Sequence, residues 1–416
     1  METTRCCIVG GGPAGMVLGL LLARAGIDVT VLEKHGDFLR DFRGDTVHPS
    51  TLTLLDELGL GEEFAKVPHR RIDRIQVIVN DELVQIGNTE HLPGRHKYVA
   101  LVPQWDFLDL LARAGAQEPT FHLRMNTEVT GVVHEGGRVT GVRYRTRDGQ
   151  TGTLRVDLVV ACDGRYSTVR AAAGLHARSF GVPMDVLWFR LPRYDDDPMG
   201  LAGRFSAGRG MVLVDRGDYY QAGVLIAKGT DAELRRQDIT VFHHMLTTLV
   251  PWLNDRVDAI ASWDDVKLLT VRLDRLRTWY TDGLLCIGDA AHAMSPVGGV
   301  GINLAVQDAV AAARYLAGPL RRGRPTRRDL ARVQARRWLP TVLTQQAQRF
   351  IHARFLGPAL RGEIDFDRYT EAPAPLRLLQ RHPWLQAIPA YAVGIGVLPE
   401  HAPVFARRPA RTTKEG

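Results

Sequence analysis

The sequence predicts an α/β fold, with a Rossmann-like dinucleotide-binding domain and an antiparallel β-sheet inserted into it. Three observations carry this reading. A glycine-rich turn, Gly10-Gly11-Gly12-Pro13-Ala14-Gly15, stands between a short apolar run and a helical stretch. Two more apolar runs, far along the chain, end in turns at Asp163-Gly164 and Gly288-Asp289. Segments with strand character fill the space between them.

The first element is Cys6-Cys7-Ile8-Val9, apolar and short enough for a buried strand. The helical stretch 16–25 follows the glycine turn, Gly26 closes it, and residues 28–32 read as a second strand ending at Glu33. Strand, GxGxxG, helix, strand and an acid 23 residues after the first glycine form a dinucleotide-binding pattern. Gly10 permits the tight turn, Gly12 lets a pyrophosphate approach the backbone, and Gly15 lets helix and strand pack closely. The helix start offers unpaired N–H groups and a positive dipole end to phosphates. Glu33 is placed to accept hydrogen bonds from an adenosine ribose. The pattern does not separate FAD from NAD.

Composition narrows the class. The 416 residues have room for two or three domains, and 45% hydrophobic with 24% charged residues is ordinary for a globular chain. No apolar run reaches the roughly 18 to 20 residues of a membrane-spanning helix. Net charge is +7, but 47 of the 53 basic residues are arginine, and no nucleic-acid motif accompanies them. The four cysteines form no CxxC, so neither a metal site nor a disulfide framework is expected, and a cytoplasmic location fits.

Taken together, the GxGxxG with Glu33, the Asp163-Gly164 element with Ser167 and Arg170, and the Gly288-Asp289 element resemble, in order and spacing, the fingerprints of FAD-dependent aromatic hydroxylases. These are the flavoprotein monooxygenases of the p-hydroxybenzoate hydroxylase type. The resemblance covers about residues 5–320 and implies FAD as cofactor, with NADPH or NADH as a transient reductant visiting a surface groove. It implies that Gly10, Gly12, Pro13, Ala14, Gly15, Glu33 and Lys34 lie along the adenosine end. Asp163 and Gly164 would lie near the pyrophosphate, and Asp289 would hold the ribityl chain. Arg43 and Gln104 match positions that touch FAD in the family. Pro296, Gly299, Val300, Gly301, Ile302 and Asn303 resemble the loop beside the flavin ring, although Val300 stands where many relatives carry glutamine.

The resemblance also implies the chemistry: one oxygen atom from O2 passes through a flavin hydroperoxide into an aromatic or polyketide-like molecule. No protein residue is assigned as catalytic, because that chemistry is borne by the flavin. An FAD-dependent reductase or dehydrogenase of the prenyl-reductase kind is the alternative on the same fold. A halogenase fits less well, since no tryptophan pair occurs as WxW. A redox-sensing flavoprotein without turnover is the non-enzyme reading.

Strand-like segments 74–79, 83–86, 185–191, 210–214 and 220–227, with turns at Asn80-Asp81 and 215–218, should build the sheet that covers the flavin. By place in the chain, Tyr98, Phe189, Phe205, Met211 and Tyr220 are candidates to line the substrate site. His48, His243 and His292 are candidate proton-transfer partners. The domain division expected is 1–72, 100–177 and 280–364 for the FAD-binding domain, and 73–99 and 178–279 for the substrate sheet. Residues 365–416 form a proline-rich C-terminal wrap, with 407–416 disordered. Residues 318–361 carry many arginines, and Leu330, Val333, Arg337, Trp338 and Thr341 fall at helical spacing, so an amphipathic helix is expected. The partners expected are a small-molecule substrate and O2, with no nucleic acid and no transmembrane segment. The chain is expected to act as a monomer or homodimer.

Overall fold

The computed structural model describes residues 2–39, 46–79, 82–197, 201–206, 208–363 and 374–409. Strand Glu2–Val9 lies at the centre of the first sheet, paired in parallel with Val29–Leu32 on one side and Thr151–Ala161 on the other. Phe121–Arg124 and Leu284–Cys286 extend it in parallel, and the hairpin Thr127–Glu135 with Arg138–Thr146 is attached to Thr151–Ala161. Parallel strands need crossovers, and helix Pro13–Arg24 supplies the first. Residues 14–23 of that helix are all buried, because the sheet covers one side and helices Gln104–Gly115 and Gly301–Arg322 cover the others. Gly19 makes the sheet contact possible, since a Cβ there would meet the Phe121 ring at 2.7 Å.

The four cysteines are free. Cys6 and Cys7 are buried within strand Glu2–Val9 and Cys286 at the end of Leu284–Cys286, and burial pushes the Cys7 thiol up to about 12. They behave as small hydrophobes. Among the described residues no three His, Cys, Asp or Glu side chains are placed to hold a metal ion, and no helix is long and apolar enough to cross a membrane.

The second sheet has seven strands in the order Lys267–Leu269, Met184–Pro192, Tyr219–Ala227, Arg209–Asp215, Leu201–Ser206, Arg74–Val79 and Glu82–Asn88. This sheet departs from the all-antiparallel one expected from the sequence. The sheet is mixed rather than antiparallel, because Leu201–Ser206, a strand the reading missed, pairs in parallel with Arg74–Val79. The expected 215–218 turn is present, with Gly217 at φ 108 donating its N–H to Asp215 Oδ1 at 2.8 Å. The Asn80-Asp81 turn lies outside the described residues. Helix Ile239–Leu249 packs on one face of this sheet, around Phe189, Phe242 and Leu246.

The arginine-rich stretch contributes to helix Gly301–Arg322 and forms helix Arg327–Ile351, separated by Gly323 at φ 142. Leu330, Val333, Arg337 and Thr341 are buried along one face, as their spacing predicts. Helices Ala374–Arg381 and Ala387–Gly394 then run past strand Glu82–Asn88. The chain returns to the first unit beyond them, where Glu57 accepts from the backbone N–H of Ala402 and the Glu57 carbonyl accepts from Arg408. Arg407 donates to the carbonyl of Ala402, while residues 407–409 are exposed; residues 410–416 lie outside the described chain.

One buried ion cluster joins these parts. Asp308, fully buried, accepts from the Gly288 N–H at 3.0 Å, His292 Nε2 at 2.6 Å and Arg337 Nε at 3.0 Å. Arg337 also faces Glu400, which is paired with Arg336 and Arg314. Burial alone would raise the Asp308 carboxyl, but His292, Arg337 and the Gly288 N–H outweigh it and hold it below the ordinary carboxylate range. A depressed folded-state pKa contributes stability above the unfolded value and loses it as pH falls through the folded one. The wild type should therefore keep this contribution at neutral pH and lose it only in acid, below about pH 4. Arg337→Met strips Asp308 of its guanidinium and should cost about 3 to 5 kcal/mol, read from urea unfolding at pH 7. An unchanged midpoint would show that the cluster is not a net stabiliser.

Candidate functional site

The glycine turn leaves the central strand at Val9. Gly10 has φ 104, and a Cβ on it would lie 2.5 Å from the carbonyl oxygen of Cys162. A Cβ on Gly15 would lie 2.0 Å from the carbonyl of Gly10. Gly12 differs: nothing stands within 4 Å of its Cβ position, and it precedes Pro13, the first residue of the helix, with no side-chain cap. An open space therefore faces an uncapped helix start, the arrangement a phosphate group fits. Ala14 is buried beneath it. Glu33 is 9% exposed; Oε2 accepts from the Gly11 N–H at 2.8 Å and Oε1 from the His35 N–H at 3.1 Å. Lys34 is exposed beside it, and Gln104 is half-buried at the start of helix Gln104–Gly115. Arg43 lies outside the described residues.

Asp163 is turned inward. Its carboxylate accepts from the Ser167 hydroxyl and from the Val169 N–H at 3.1 Å, and Ser167 in turn caps Arg170. Burial raises this carboxyl against those hydrogen bonds. What meets the glycine turn is the backbone of Cys162 and Asp163, with Gly164 at φ 82 turning the chain away. The Asp163 side chain thus shapes its own turn, and its backbone borders the glycine turn. Arg170 ties this element to the third one, donating to the carbonyls of Ala290 at 3.0 Å and Arg165 at 2.9 Å. Arg165 reaches Asp289 at 3.4 Å, and the Asp289 side chain remains 31% exposed. Sequence reading assigned Arg165 no role.

The loop 295–303 is held from two directions. Gln348 accepts from the Ser295 N–H and donates to the carbonyls of Ser295 and Val297, while the Ser295 hydroxyl meets His352 Nε2 at 2.9 Å. His352 opens a π-helical turn, His352–Leu356, a local widening that often accompanies functional sites. From the other side, Thr46 Oγ1 and His48 Nε2 meet the Gly299 carbonyl, and the Ser50 and Thr51 hydroxyls donate to Asn303 Oδ1. Gly298 and Gly299 have φ 80 and 62, the left-handed region that only glycine enters freely. Pro296 precedes them, and Val300 is buried with Leu304, Met294 and Leu273. Gly301 has open space at its Cβ, Ile302 is half-buried, and helix Gly301–Arg322 starts without a side-chain cap. The partners Gln348, His352, Ser50 and Thr51 escaped sequence reading because no local pattern announces a contact across so many residues.

The histidine candidates separate. His48 is 1% exposed at the loop, and burial pushes it down to about 4, so it is neutral at ordinary pH. His292 belongs to the Asp308 cluster. His243 donates to the carbonyl of Ile260 beneath the second sheet, on the Phe242 side, away from the loop.

The five candidate lining residues divide between different faces. Phe189, Met211 and Tyr220 are buried against helix Ile239–Leu249 and the turns after it, on the face opposite the loop. The strand period of two explains this: Leu187, Phe189 and Leu191 face that helix, while Val186 and Trp188 face the other way. Phe205 does face the loop side, clustered with Val186, Trp188, Leu225 and Val297. The Trp188 and Phe205 rings cover the cross-strand glycines Gly223 and Gly210, whose Cβ positions lie 2.9 Å and 2.6 Å from them. Tyr98 is elsewhere, half-buried with His69 stacked on it at 6.2 Å and Arg71 over its ring at 4.6 Å.

The geometry predicts a contrast between two substitutions. Gly15→Ala forces a Cβ into the Gly10 carbonyl and should prevent the turn from forming, lowering the thermal midpoint by several degrees or more. Gly12→Ala, with open space, should leave the melting curve unchanged while reducing dinucleotide retention about tenfold or more, read by equilibrium dialysis. Equal retention in Gly12→Ala and wild type would show that the open space is not the phosphate seat.

Comparison with known proteins agrees with this architecture. Residues 3–346 match the FAD binding domain family. The chain is 39% identical over 341 residues to 6-methylpretetramide 4-monooxygenase of Streptomyces rimosus, covering 80% of each chain. It is 29% identical over 343 residues to 4-methyl-5-nitrocatechol 5-monooxygenase of a Burkholderia species, covering 73% of this chain and 58% of that one. Among solved structures, a probable FAD-dependent monooxygenase from Pseudomonas aeruginosa superposes with a TM-score of 0.73 at 22% identity, over 87% of this chain and 99% of the other, a likeness of fold. With residues 3–346 matching that family and a relative 39% identical over four-fifths of both chains, the chain belongs to the FAD-dependent aromatic hydroxylase family and is an FAD-dependent monooxygenase.

Proposed function

We propose that this monooxygenase hydroxylates a fused-ring aromatic polyketide, drawing electrons from NADPH or NADH. The observation that carries the reading is the 39% identity, over four-fifths of both chains, to an enzyme named for 6-methylpretetramide. The apolar, partly aromatic cluster of Val186, Trp188, Phe205 and Leu225 packed with Val297 supports it, because it brings aromatic side chains to the loop side of the sheet. Trp188 Nε1 has no acceptor among the described residues, which leaves a donor for a substrate oxygen. The prenyl-reductase alternative is not favoured, since the named relatives are monooxygenases.

When bound and reduced, FAD would supply the chemistry that activates O2, one oxygen atom entering the substrate and the other leaving as water. The chain's own part is placement and exclusion of water. In this proposal the Gly12 opening and the helix start at Pro13 and Ala14 take the pyrophosphate, and Glu33 takes the adenosine ribose with Lys34 at its edge. Asp289 takes the ribityl chain, while Arg43 and Gln104 complete the contacts expected of them. Residues 296–303 meet the flavin ring and bring the backbone N–H groups of the helix start to its pyrimidine edge. Asp163 and Gly164 act through the shape of their turn. The apolar sheet face opposite the loop keeps bulk water from the reacting centre. The division into a discontinuous FAD domain, an inserted sheet domain and a C-terminal wrap belongs to the same proposal, as does a cytoplasmic location. It extends to small molecules as the partners and to action as a monomer or homodimer.

The test is NADPH and NADH oxidation by the FAD-loaded enzyme across a panel of simple phenols and fused-ring aromatic polyketides, with product mass read in parallel. Tetracyclic compounds should accelerate oxidation and gain one oxygen atom, and turnover should stop without O2. Sustained anaerobic turnover would overturn the reading in favour of a reductase. Trp188→Ala should raise the KM for the fused-ring substrate about tenfold, as expected for loss of an aromatic contact of about 1.4 kcal/mol. An unchanged KM would remove Trp188 from the site.

A further inference from the structure

The segment 46–51 and the loop 295–303 are some 250 residues apart in sequence, yet four side chains of the first hold the second. The Gly299 carbonyl receives Thr46 Oγ1 at 2.9 Å and His48 Nε2 at 3.0 Å, and Asn303 Oδ1 receives Ser50 at 2.8 Å and Thr51 at 2.9 Å. Gly299 cannot be exchanged for another residue, because a Cβ there would lie 2.8 Å from Thr46 Oγ1 and its φ is 62. A carbonyl oxygen only accepts, so His48 carries its proton on Nε2. Its other nitrogen, Nδ1, is buried without a partner among the described residues. A side chain kept only for packing would have no reason to bury that orphan; His48 is suited to its place by the one hydrogen bond it donates. Its neutrality matters as well, because a fixed positive charge here would act on the flavin directly rather than through the loop.

These contacts bracket the start of helix Gly301–Arg322, which has no side-chain cap. The N–H groups of Gly301, Ile302 and Asn303 therefore have their direction set by Gly299 before them and by the Asn303 side chain. We infer that Thr46 and His48 are positioning residues that, through the Gly299 carbonyl, aim the uncapped start of helix Gly301–Arg322 at the pyrimidine edge of the bound flavin and thereby raise its reduction potential. The physical reason is differential: the reduced flavin carries more negative charge at that edge than the oxidised form, so N–H groups held in place stabilise it more. The inference rests on the proposed seat of the flavin ring.

The experiment is the midpoint potential of FAD-loaded protein, by equilibration with a reference dye without substrate or nicotinamide. Thr46→Val and His48→Leu each remove one donor to Gly299, whereas His48→Gln keeps an N–H of similar reach. Each loss should shift the oxidised-to-reduced equilibrium about tenfold against reduction, a fall of about 30 mV for a two-electron couple. His48→Gln should stay within threefold of wild type, a rescue that a purely structural role would not produce. Potentials within twofold of wild type in both Thr46→Val and His48→Leu, with flavin bound, would overturn the inference. So would a His48→Gln value as low as that of His48→Leu. If His48→Leu fails to fold or to hold FAD, Thr46→Val against Thr46→Ser decides the question on the same terms. Failure of the substrate proposal would appear instead as NADPH oxidation that no substrate accelerates, which this measurement does not involve.

Discussion

The carboxylate of Asp308 is a charge with no access to water, and the geometry of the site depends on how it is neutralised. It lies on the helix that begins at the double-glycine loop, and it accepts from the backbone of Gly288, directly before Asp289. Its cationic partner Arg337 comes from the next helix, and Arg337 leads on to Glu400 near the end of the chain. Taking such a charge out of water costs several kcal/mol, and the cost is offset only if every lone pair is met. Three distant parts of the sequence must therefore arrive at one point. When they do, the turn that carries Asp289 and the helix that starts beside the loop are fixed relative to each other.

The same economy appears around the cleft. Backbone groups form the glycine turn at Gly10, Gly12 and Cys162, and side chains stand behind such turns as struts: Asp163 on Ser167 and Val169, Arg170 on Ala290, Gln348 on Ser295 and Val297, His48 on Gly299. Backbone N–H groups are accurate donors only when their peptide planes cannot rotate. The polar side chains spent on internal contacts are what make the plain backbone usable as a binding surface.

The local patterns were legible in the sequence. The strand, glycine turn, helix and acid of residues 6–33 occupy one contiguous stretch, and their spacing alone implies the structure found. The role of Asp163 was less legible, because a motif identifies a position and not the direction in which its side chain points. The side of the sheet that meets the 295–303 loop was not legible: Phe189 and Trp188 are adjacent aromatics on one strand, and nothing local states which of them packs toward that loop. Strand Leu201–Ser206 was missed because Leu-Ala-Gly-Arg-Phe-Ser shows no clean alternation, and its parallel pairing with Arg74–Val79 is a long-range fact. Arg337 fell at the inner spacing of its helix, but that an arginine would be buried there depended on Asp308, 29 residues away.

The return of the chain to its own beginning has a consequence for biosynthesis. Arg24, the last residue of the first helix, donates to the carbonyls of Leu58 and Ala406, and Glu57 receives the backbone of Ala402. The first βαβ unit is thus finished by residues made almost four hundred positions later. At about 5 to 20 residues per second, the ribosome leaves that unit waiting tens of seconds for its closing segment. During that interval the apolar helix 13–24 is incompletely covered, so the nascent chain, rather than the mature enzyme, is the form most dependent on chaperones.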